Sequence, residues 1–235
     1  LSSLESQSYS KWELCLAGGE LDSNALAYLN YKLLCDKRIK YQEVESENQG
    51  ISANTNFAIS ISTGNYIALL DHDDLLPPHC VLQLIHSHIS ENADFIYTAE
   101  DKVDGSGLRF YAPVYKTDFS EELLLTYNYI THLSSFSRHL ITEVGLFDSK
   151  FDGAQDYNFI LRASLKASKV YYLPRILYHW RVFEGSTSDG RSASKPYAVE
   201  AGKNAILTYL TQKGHEKFYV NHGKLPFTYD VEFYD

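Results

Sequence analysis

The chain has 235 residues, of which 44% are hydrophobic and 22% are charged, so it is large enough to bury the core of one or two globular domains. Its formal net charge of −9, with no basic cluster to offset it, argues against nucleic-acid binding. No apolar run approaches the roughly 18 residues of a membrane-spanning helix, and no signal peptide is visible.

Strand and helix patterns alternate along the first 100 residues. Apolar runs and polar–apolar alternation predict strands, whereas apolar side chains three and four residues apart predict helices. This series, with its short connections, predicts an α/β fold with a mostly parallel sheet covered by helices on both faces. The predicted elements are strand 11–17, helix 23–35, strand 39–46, helix 51–62, strand 65–70, a helix after Pro77 and Pro78, and strand 93–99.

Pro77 and Pro78 favour the start of the next helix. Proline lacks a backbone N–H, and in the first turn of a helix that N–H would have no partner within the helix. His86 and His88 are predicted to be exposed on this helix. Its inner face is predicted at Val81, Leu82, Ile85 and Ile89.

The pattern is looser beyond residue 100. No repeat or linker interrupts it, which predicts a single domain. The remaining predicted elements are an edge strand or hairpin at 107–116, a helix running into a strand at 120–138, a helix at 155–167, two short strands around Pro174, a helix at 195–213 that ends at Gly214, and closing strands in FYVNHG and FTYDVEFYD.

Three carboxylates follow the strand predicted at 65–70. They are Asp71, Asp73 and Asp74, in the segment GNYIALLDHDDLLPPH. Open parallel sheets bind ligands beyond the carboxyl ends of their strands. Capping of the next helix is the alternative, although one Asp would suffice for that. Because close carboxylates repel one another without a cation, a metal site is favoured, and oxygen ligands favour Mn²⁺ or Mg²⁺ carried by a phosphate-bearing substrate.

This segment resembles the D-x-D motif of nucleotide-sugar-dependent glycosyltransferases of family 2, which have the GT-A fold. Other segments are similar, in order and spacing, to bacterial family 2 enzymes that build surface polysaccharides: ENQGISANTNFAISISTG, YTAEDKVD, NYITHLSSF, FDGAQDYNFILRA and PRILYHWRVFEGSTS. The resemblance implies one GT-A-like, three-layer α/β/α domain across residues 1–235. Because the chain has no methionine and the family's first strand is absent, we expect it to be one module of a longer chain.

The resemblance assigns the acids to donor and metal binding. Asp71 would contact the ribose or sugar of the donor, Asp73 would bind the metal that bridges the diphosphate, and Asp74 would support this arrangement. A divalent cation suits the reaction because it stabilises the departing nucleoside diphosphate. Asn48 and Asn56 would lie near the donor phosphates, although Asn-x-Gly is also an ordinary turn.

Asp156, in FDGAQDYNFILRA, is at the start of a predicted helix, so helix N-capping is one interpretation. The resemblance makes it the catalytic base of an inverting enzyme, which takes the proton of the acceptor hydroxyl. Its neighbour is Gln155, placed at the acceptor cleft, where many relatives carry Glu. No like charge is therefore expected beside Asp156, and its pKa is expected to rise less.

The segment YHWR and the end of the strand at 93–99 supply further candidates. His179 is a candidate metal or phosphate ligand, with the metal site preferred, and Arg181 is a candidate clamp for the donor diphosphate. Trp180 would stack on the acceptor sugar or fill the core, and the core is favoured. Glu100 and Asp101 are expected to face the same cleft.

One departure from the family concerns the donor. Relatives usually end the first strand present here with acids, one of which binds the nucleobase, whereas this chain has Gly18 and Gly19. Glu20 or Asp22 would have to substitute, so donor binding would be weak, altered or lost. A non-catalytic sugar- or partner-binding module is therefore the alternative function, although it would have no need of the metal-binding and base positions.

The sequence thus predicts a metal-dependent inverting glycosyltransferase that moves a hexosyl or deoxyhexosyl group from a nucleotide-sugar donor to a saccharide or lipid-linked saccharide acceptor in cell-surface polysaccharide synthesis. A phosphohydrolase is disfavoured, since DHDDLL lacks the accompanying Lys and Thr or Ser. Three cysteines without metal-like spacing predict a reduced, cytoplasmic setting. Peripheral association at the inner face of the membrane is a separate expectation.

Overall fold

The computed structural model describes residues 1–19, 21–44, 50–183 and 196–234. No helix in these ranges is long and apolar enough to cross a bilayer. The strands are β1 (Leu14–Gly18), β2 (Ile39–Glu43), β3 (Tyr66–Ala68), β4 (Phe95–Asp104), β5 (Phe110–Val114), β6 (Ser134–Ser137), β7 (Val170–Val182), β8 (Phe218–His222) and β9 (Tyr229–Phe233). The α-helices are α1 (Ser2–Glu5), α2 (Ser23–Cys35), α3 (Gly50–Ile61), α4 (Cys80–Ser90), α5 (Glu121–Thr126), α6 (Arg138–Val144), α7 (Gln155–Lys166) and α8 (Pro196–Gln212), with a 3₁₀ turn at Ser149–Phe151.

β4 is the centre of a five-stranded sheet. Its residues 95–97 pair with β6, which pairs with β3, and its residues 100–103 pair with β5, all in antiparallel fashion. The whole of β4 pairs in parallel with β7. Among the described strands, β1 and β2 form a separate parallel pair and β8 and β9 an antiparallel hairpin.

The prediction of a mostly parallel sheet needs a correction. β3, β4 and β7 run in one direction, but β5 and β6 run in the other, so the described ladders of this sheet are mixed. The unexpected strand is β6, which follows β4 in sequence but lies between β3 and β4 in the sheet and is antiparallel to both. Consecutive strands are neighbours only about two-thirds of the time, and local pattern does not reveal the exceptions.

β4 also separates two hydrophobic cores. Its residues from Phe95 to Asp101 are all buried, as expected for a strand covered on both faces. Side chains alternate between the faces, so Phe95 and Tyr97 join the core formed with α5 to α8, whereas Ile96 joins the core formed with α1 and α4. The predicted three-layer α/β/α arrangement is therefore present.

The predicted inner face of α4 is wrong. Leu82 and Ile89 are 43% and 68% exposed. His88, which was expected to be exposed, is buried; its ring nitrogens lie 2.7 Å from Ala93 O and 2.9 Å from Ser135 Oγ. Successive residues of a helix are about 100° apart around its axis, so a prediction that is displaced by one residue assigns the wrong side of the helix to the core. The buried residues of α4 are Cys80, Leu84, Ser87 and His88.

β7 differs from the prediction of two short strands around Pro174. It is one strand whose ladder to β4 skips Pro174 and Arg175, both of which are exposed. Such a bulge accommodates Pro174 because proline has no N–H to give to the ladder. Beyond the bulge the strand resumes and carries residues 178–181 along β4, next to the acidic segment.

Candidate active site

The acidic segment forms a turn that is pinned against the end of β7. Leu75 and His179 exchange two backbone hydrogen bonds of 3.1 and 2.9 Å. Asp74 is buried, and its two carboxylate oxygens accept hydrogen bonds from the Tyr178 hydroxyl and from the backbone N–H of Arg181, the latter 2.7 Å long. Burial raises the pKa of Asp74. Asp74 thus holds the turn in place, and a direct contact with a donor stays a prediction.

Asp71 and Asp73 are the accessible acids of this turn. The Asp73 side chain is 41% exposed, with His72 Nδ1 at 4.0 Å from its Oδ1, and Asp71 is exposed as well. The helix-capping interpretation of the acidic cluster is wrong, because α4 begins after His79 and receives no side-chain cap. Both carboxylates are therefore open to a ligand.

His179 is oriented by a carboxylate. Its Nδ1 lies 2.5 Å from Asp101 Oδ1, and the two side chains are 14% and 11% exposed. The ring of Phe110 packs on the imidazole at a centroid distance of 4.5 Å. A carboxylate on one ring nitrogen fixes the tautomer and raises the basicity of the other, an arrangement common behind metal-binding histidines. Asp101 therefore holds His179 through Nδ1, which leaves Nε2 as the atom suited to a metal.

The chain offers part of a ligand set for a divalent cation. In the ranges that the structure covers, no three His, Cys, Asp or Glu side chains are grouped to hold a metal ion. Mg²⁺ and similar cations are usually bound through one or two carboxylates together with substrate phosphates, so a complete protein cage is not required. The open carboxylate of Asp73 and Nε2 of His179 fit that chemistry, and metal dependence stays a prediction.

Asp156 is the second residue of α7 and does not cap it. The N-cap is Ala154, which makes no side-chain hydrogen bond to the helix, so the capping interpretation is wrong. Asp156 Oδ2 instead accepts a hydrogen bond of 3.0 Å from Asn128 Nδ2. The side chain thus connects the start of its own helix, whose backbone N–H groups also bond to it, with the 128–132 segment.

The pKa of Asp156 is raised, first because burial disfavours the carboxylate and also because the negative charge of Asp71 is near. Backbone N–H groups at the helix start and the ring of His132 oppose the rise. The expectation that no like charge lies beside Asp156 is wrong, since it considered only the sequence neighbour Gln155. That the acidic turn and Asp156 form one site stays a prediction, and a raised pKa makes a carboxylate a stronger base.

The loop before α7 is shaped by its own residues. Gly153 has φ of +96°, and a Cβ there would lie 2.8 Å from the Ala198 side chain of α8, so only glycine fits. Gln155 Oε1 accepts a hydrogen bond of 2.8 Å from the Gly153 N–H. The Asp152 carboxylate accepts hydrogen bonds from the N–H and hydroxyl of Ser52 at the start of α3. Gln155 therefore supports the loop, and its predicted contact with an acceptor is untested.

The donor-binding candidates differ in how much of each side chain is free. Asn48 lies outside the described residues. Both polar atoms of the Asn56 amide bond to the backbone of Phe147, at 2.8 and 2.9 Å, so this side chain joins two segments of the fold. Arg181 Nε donates to Asp73 O and its Nη1 donates to Gly105 O, at 2.7 and 3.0 Å. Nη2 is the part of the guanidinium that suits the predicted clamp.

The glycines at the end of β1 leave no side chain for a nucleobase. A Cβ on Gly19 would lie 2.9 Å from Val44 O, so a larger residue would force the backbone apart. Asp22 is not a ready substitute, because its carboxylate caps α2 through the N–H groups of Asn24 and Ala25, each at 2.9 Å. Glu20, the other suggested substitute, lies outside the described residues.

A buried lysine is the main feature that sequence reasoning missed. The Lys116 side chain is 2% exposed, and its ammonium donates to Glu100 Oε2 at 3.2 Å and to the carbonyls of Ile130 and His132. Thr131 also donates to Glu100, at 3.3 Å. Lys116 therefore holds the 128–132 segment in place. Asn128, at the start of this segment, is the residue that donates to Asp156. Lys116 lies at the end of the strand or hairpin predicted at 107–116, and its carbonyl partners lie in NYITHLSSF, so no local pattern indicated that the two meet.

Replacing Lys116 with Met is expected to lower the free energy of unfolding by about 3 kcal/mol or more, because the buried charge of Glu100 then loses the opposite charge that balances it. Urea denaturation measures the loss. The double variant Lys116→Met with Glu100→Gln should recover much of it. Lys213→Met removes the exposed ion pair with Glu121 and is the control, with a change of under about 1 kcal/mol. A Lys116→Met chain as stable as the parent would contradict the assigned role.

The Trp180 side chain contacts the hydrophobic core and also borders a cleft. It is half-buried and packs beside the core that contains α4, as the favoured interpretation predicts. Its ring also meets His132 edge-on at 5.4 Å, and the Lys102 ammonium lies 5.7 Å from its centre. The rest of the ring borders a surface cleft together with Glu100.

Comparison with known proteins agrees with this geometry. The family model described as glycosyl transferase family 2 matches residues 1–145. An uncharacterized protein y4gI of Sinorhizobium fredii is 39% identical across 97% of this chain, and the O-antigen biosynthesis protein RfbC of Myxococcus xanthus is 31% identical across 91%. The chain spans 25% and 17% of the lengths of these two relatives.

Two solved structures share the fold. Residues 1–349 of TarS from S. aureus, in complex with UDP-GlcNAc, match with a TM-score of 0.66 at 16% identity, over 89% of this chain and 61% of that one. The mannosyltransferase PcManGT from Pyrobaculum calidifontis, in complex with GDP-Man and Mn²⁺, matches with a TM-score of 0.60 at 13% identity, over 96% and 71%. These likenesses confirm the GT-A fold class.

Proposed function

Because the chain belongs to glycosyltransferase family 2, we propose that it transfers a hexosyl or deoxyhexosyl group from a nucleotide-sugar donor to a saccharide or lipid-linked saccharide acceptor, with inversion and with the help of a divalent cation. The observation that carries the proposal is the environment of Asp156. Its carboxylate is half-buried, accepts a hydrogen bond from Asn128, and has a pKa that desolvation and the negative charge of Asp71 in the acidic turn raise. Capping does not explain this environment, because the N-cap of α7 is Ala154.

In this mechanism, Asp156 accepts the proton of the acceptor hydroxyl. That oxygen attacks the anomeric carbon on the face opposite the diphosphate, and the bond from this carbon to the diphosphate breaks. Asn128 holds the base in place through its hydrogen bond to Oδ2. Asp73 and His179 would hold the cation, which stabilises negative charge on the departing diphosphate. Arg181 keeps the turn folded through the backbone of Asp73 and is suited to hold a phosphate through Nη2.

The role in cell-surface polysaccharide assembly is also part of the proposal. Support comes from the similarity to an O-antigen biosynthesis protein and, at 27% identity, to chondroitin and hyaluronan synthases of Pasteurella multocida. The predicted cytoplasmic setting, with association at the inner face of the membrane, goes with this role.

A non-catalytic module is the second candidate function. The observation in its favour is the end of β1, where Gly18 and Gly19 offer no side chain to a base and the Asp22 carboxylate is used by α2. Donor binding therefore distinguishes the two candidates.

Calorimetry with UDP, TDP and GDP tests this choice. We expect one of the three to bind in the presence of Mn²⁺ and to bind more weakly without it, because the cation links the diphosphate to the acidic turn. Adenosine monophosphate, which has no diphosphate, is the control. Binding of none of the three, with or without Mn²⁺, would favour the non-catalytic function.

A further inference from the structure

A cleft of about 300 Å³ opens beside the candidate active site. One wall is the end of β5 and the chain that follows it, another is the segment after α5, and Trp180 of β7 closes one side. Its aromatic lining includes Tyr115 and Tyr127, which are 65% and 41% exposed. Large aromatic rings left open around a concave surface are typical of a ligand site rather than of packing.

The cleft combines aromatic surface with a few polar groups. Tyr115, Tyr127 and Trp180 supply flat apolar faces, while Glu100, Asn128 and Thr131 supply hydrogen-bonding atoms. A sugar ring has the matching chemistry, since its C–H faces pack on aromatic rings and its hydroxyl groups both donate and accept hydrogen bonds. A purely apolar ligand would cover these hydrogen-bonding atoms without replacing their contacts with water.

The position of the cleft relates it to the acceptor rather than to the donor. Asn128 lines the cleft, and its Nδ2 donates to Asp156 Oδ2 at 3.0 Å. The cleft therefore reaches to within one side chain of the base that must receive the acceptor's proton. Asp71 and Asp73, which the proposed function gives to the donor, do not line it.

The charges around the cleft favour an uncharged sugar. Lys116 directs its ammonium to Glu100 and to two backbone carbonyls, which uses all three of its N–H donors. The Lys102 ammonium lies against the Trp180 ring. Because the charges of Lys116 and Glu100 balance each other, this pair offers no net positive charge to a sugar carboxylate, and the nearby Asp156 carboxylate would repel one.

We propose that this cleft binds an uncharged sugar residue of the acceptor and presents its hydroxyl to Asp156. The inference rests on the proposed glycosyl transfer, whose donor side is tested separately. Trp180 supplies a direct readout, because the chain has two tryptophans and the other, Trp12, is covered by Arg38 at 3.8 Å.

The experiment is a fluorescence titration of the chain with cellotriose, maltotriose and chitotriose, without donor. We expect at least one of these uncharged trisaccharides to change the emission saturably, and Trp180→Phe to remove the change. Tyr127→Ala should weaken the affinity roughly tenfold, about 1.4 kcal/mol, as expected for loss of an aromatic anchor. The matched control is Tyr219→Ala, which removes a 59% exposed tyrosine from the β8–β9 hairpin and should bind like the parent.

Three outcomes would overturn the proposal: no response to any of the trisaccharides, equal binding by Tyr127→Ala, or tighter binding of a uronate-containing hyaluronan tetrasaccharide. Calorimetry of Tyr127→Ala with the diphosphate that the parent binds distinguishes a failure of the cleft proposal from a failure of the proposed glycosyl transfer. Normal diphosphate binding without a saccharide response refutes the cleft alone. A saccharide response in a chain that binds no diphosphate refutes the proposed transfer and supports a sugar-binding module.

Discussion

Asp156→Asn is expected to lower the turnover of sugar transfer by roughly 10²- to 10⁴-fold, the usual contribution of a general base. The amide has the shape of the carboxylate, and its oxygen can still accept the hydrogen bond from Asn128, but it cannot accept the proton of the acceptor hydroxyl. Binding of donor and of acceptor should persist. Sugar transfer is measured with the donor identified by calorimetry.

The stability of the same variant is a second, independent readout. Because the folded chain raises the pKa of Asp156, this group stabilises the fold at low pH, and that contribution is lost as pH rises through the raised pKa. Asn carries no charge at any pH, so the variant does not lose stability as pH rises. Its melting temperature at neutral pH should therefore equal or exceed that of the parent. Asp156→Ala should also keep its fold, since Ala154 is the N-cap. Near-native transfer by Asp156→Asn would show that Asp156 is not the base.

Asp73→Ala is expected to abolish the Mn²⁺-dependent part of nucleoside diphosphate binding. The side chain is 41% exposed, and the turn does not depend on it, because Arg181 holds the backbone carbonyl of Asp73 and the buried Asp74 holds the rest. The free energy of unfolding should therefore change by less than about 0.5 kcal/mol, as for an exposed position. Calorimetry with and without Mn²⁺ measures the binding.

A charge-matched control accompanies this variant. Asp230→Ala removes one exposed carboxylate from β9, so it changes the net charge equally without touching the acidic turn. It should leave diphosphate binding intact. Unchanged Mn²⁺-dependent affinity in Asp73→Ala would remove Asp73 from the metal site and leave His179 without a partner ligand in the proposal.

Local pattern was enough to predict most of the elements. α2 covers the predicted residues 23–35, and α7 begins at the predicted Gln155. The acids of the D-x-D segment also lie beyond the end of a strand, as predicted. These features depend on residues near one another in sequence, whose propensities and spacing are sufficient to define them.

What the sequence alone determined about this protein is therefore its order of elements, its family resemblance and the identity of the acidic residues. Only the tertiary structure decided that β6 enters between β3 and β4, that His88 is buried, and that Asp156 is held by Asn128 and influenced by Asp71. The physical reason is that burial and electrostatics depend on groups that are close in space and distant in sequence. Arg181 and Asp73, 108 residues apart, share a hydrogen bond that neither local pattern contains.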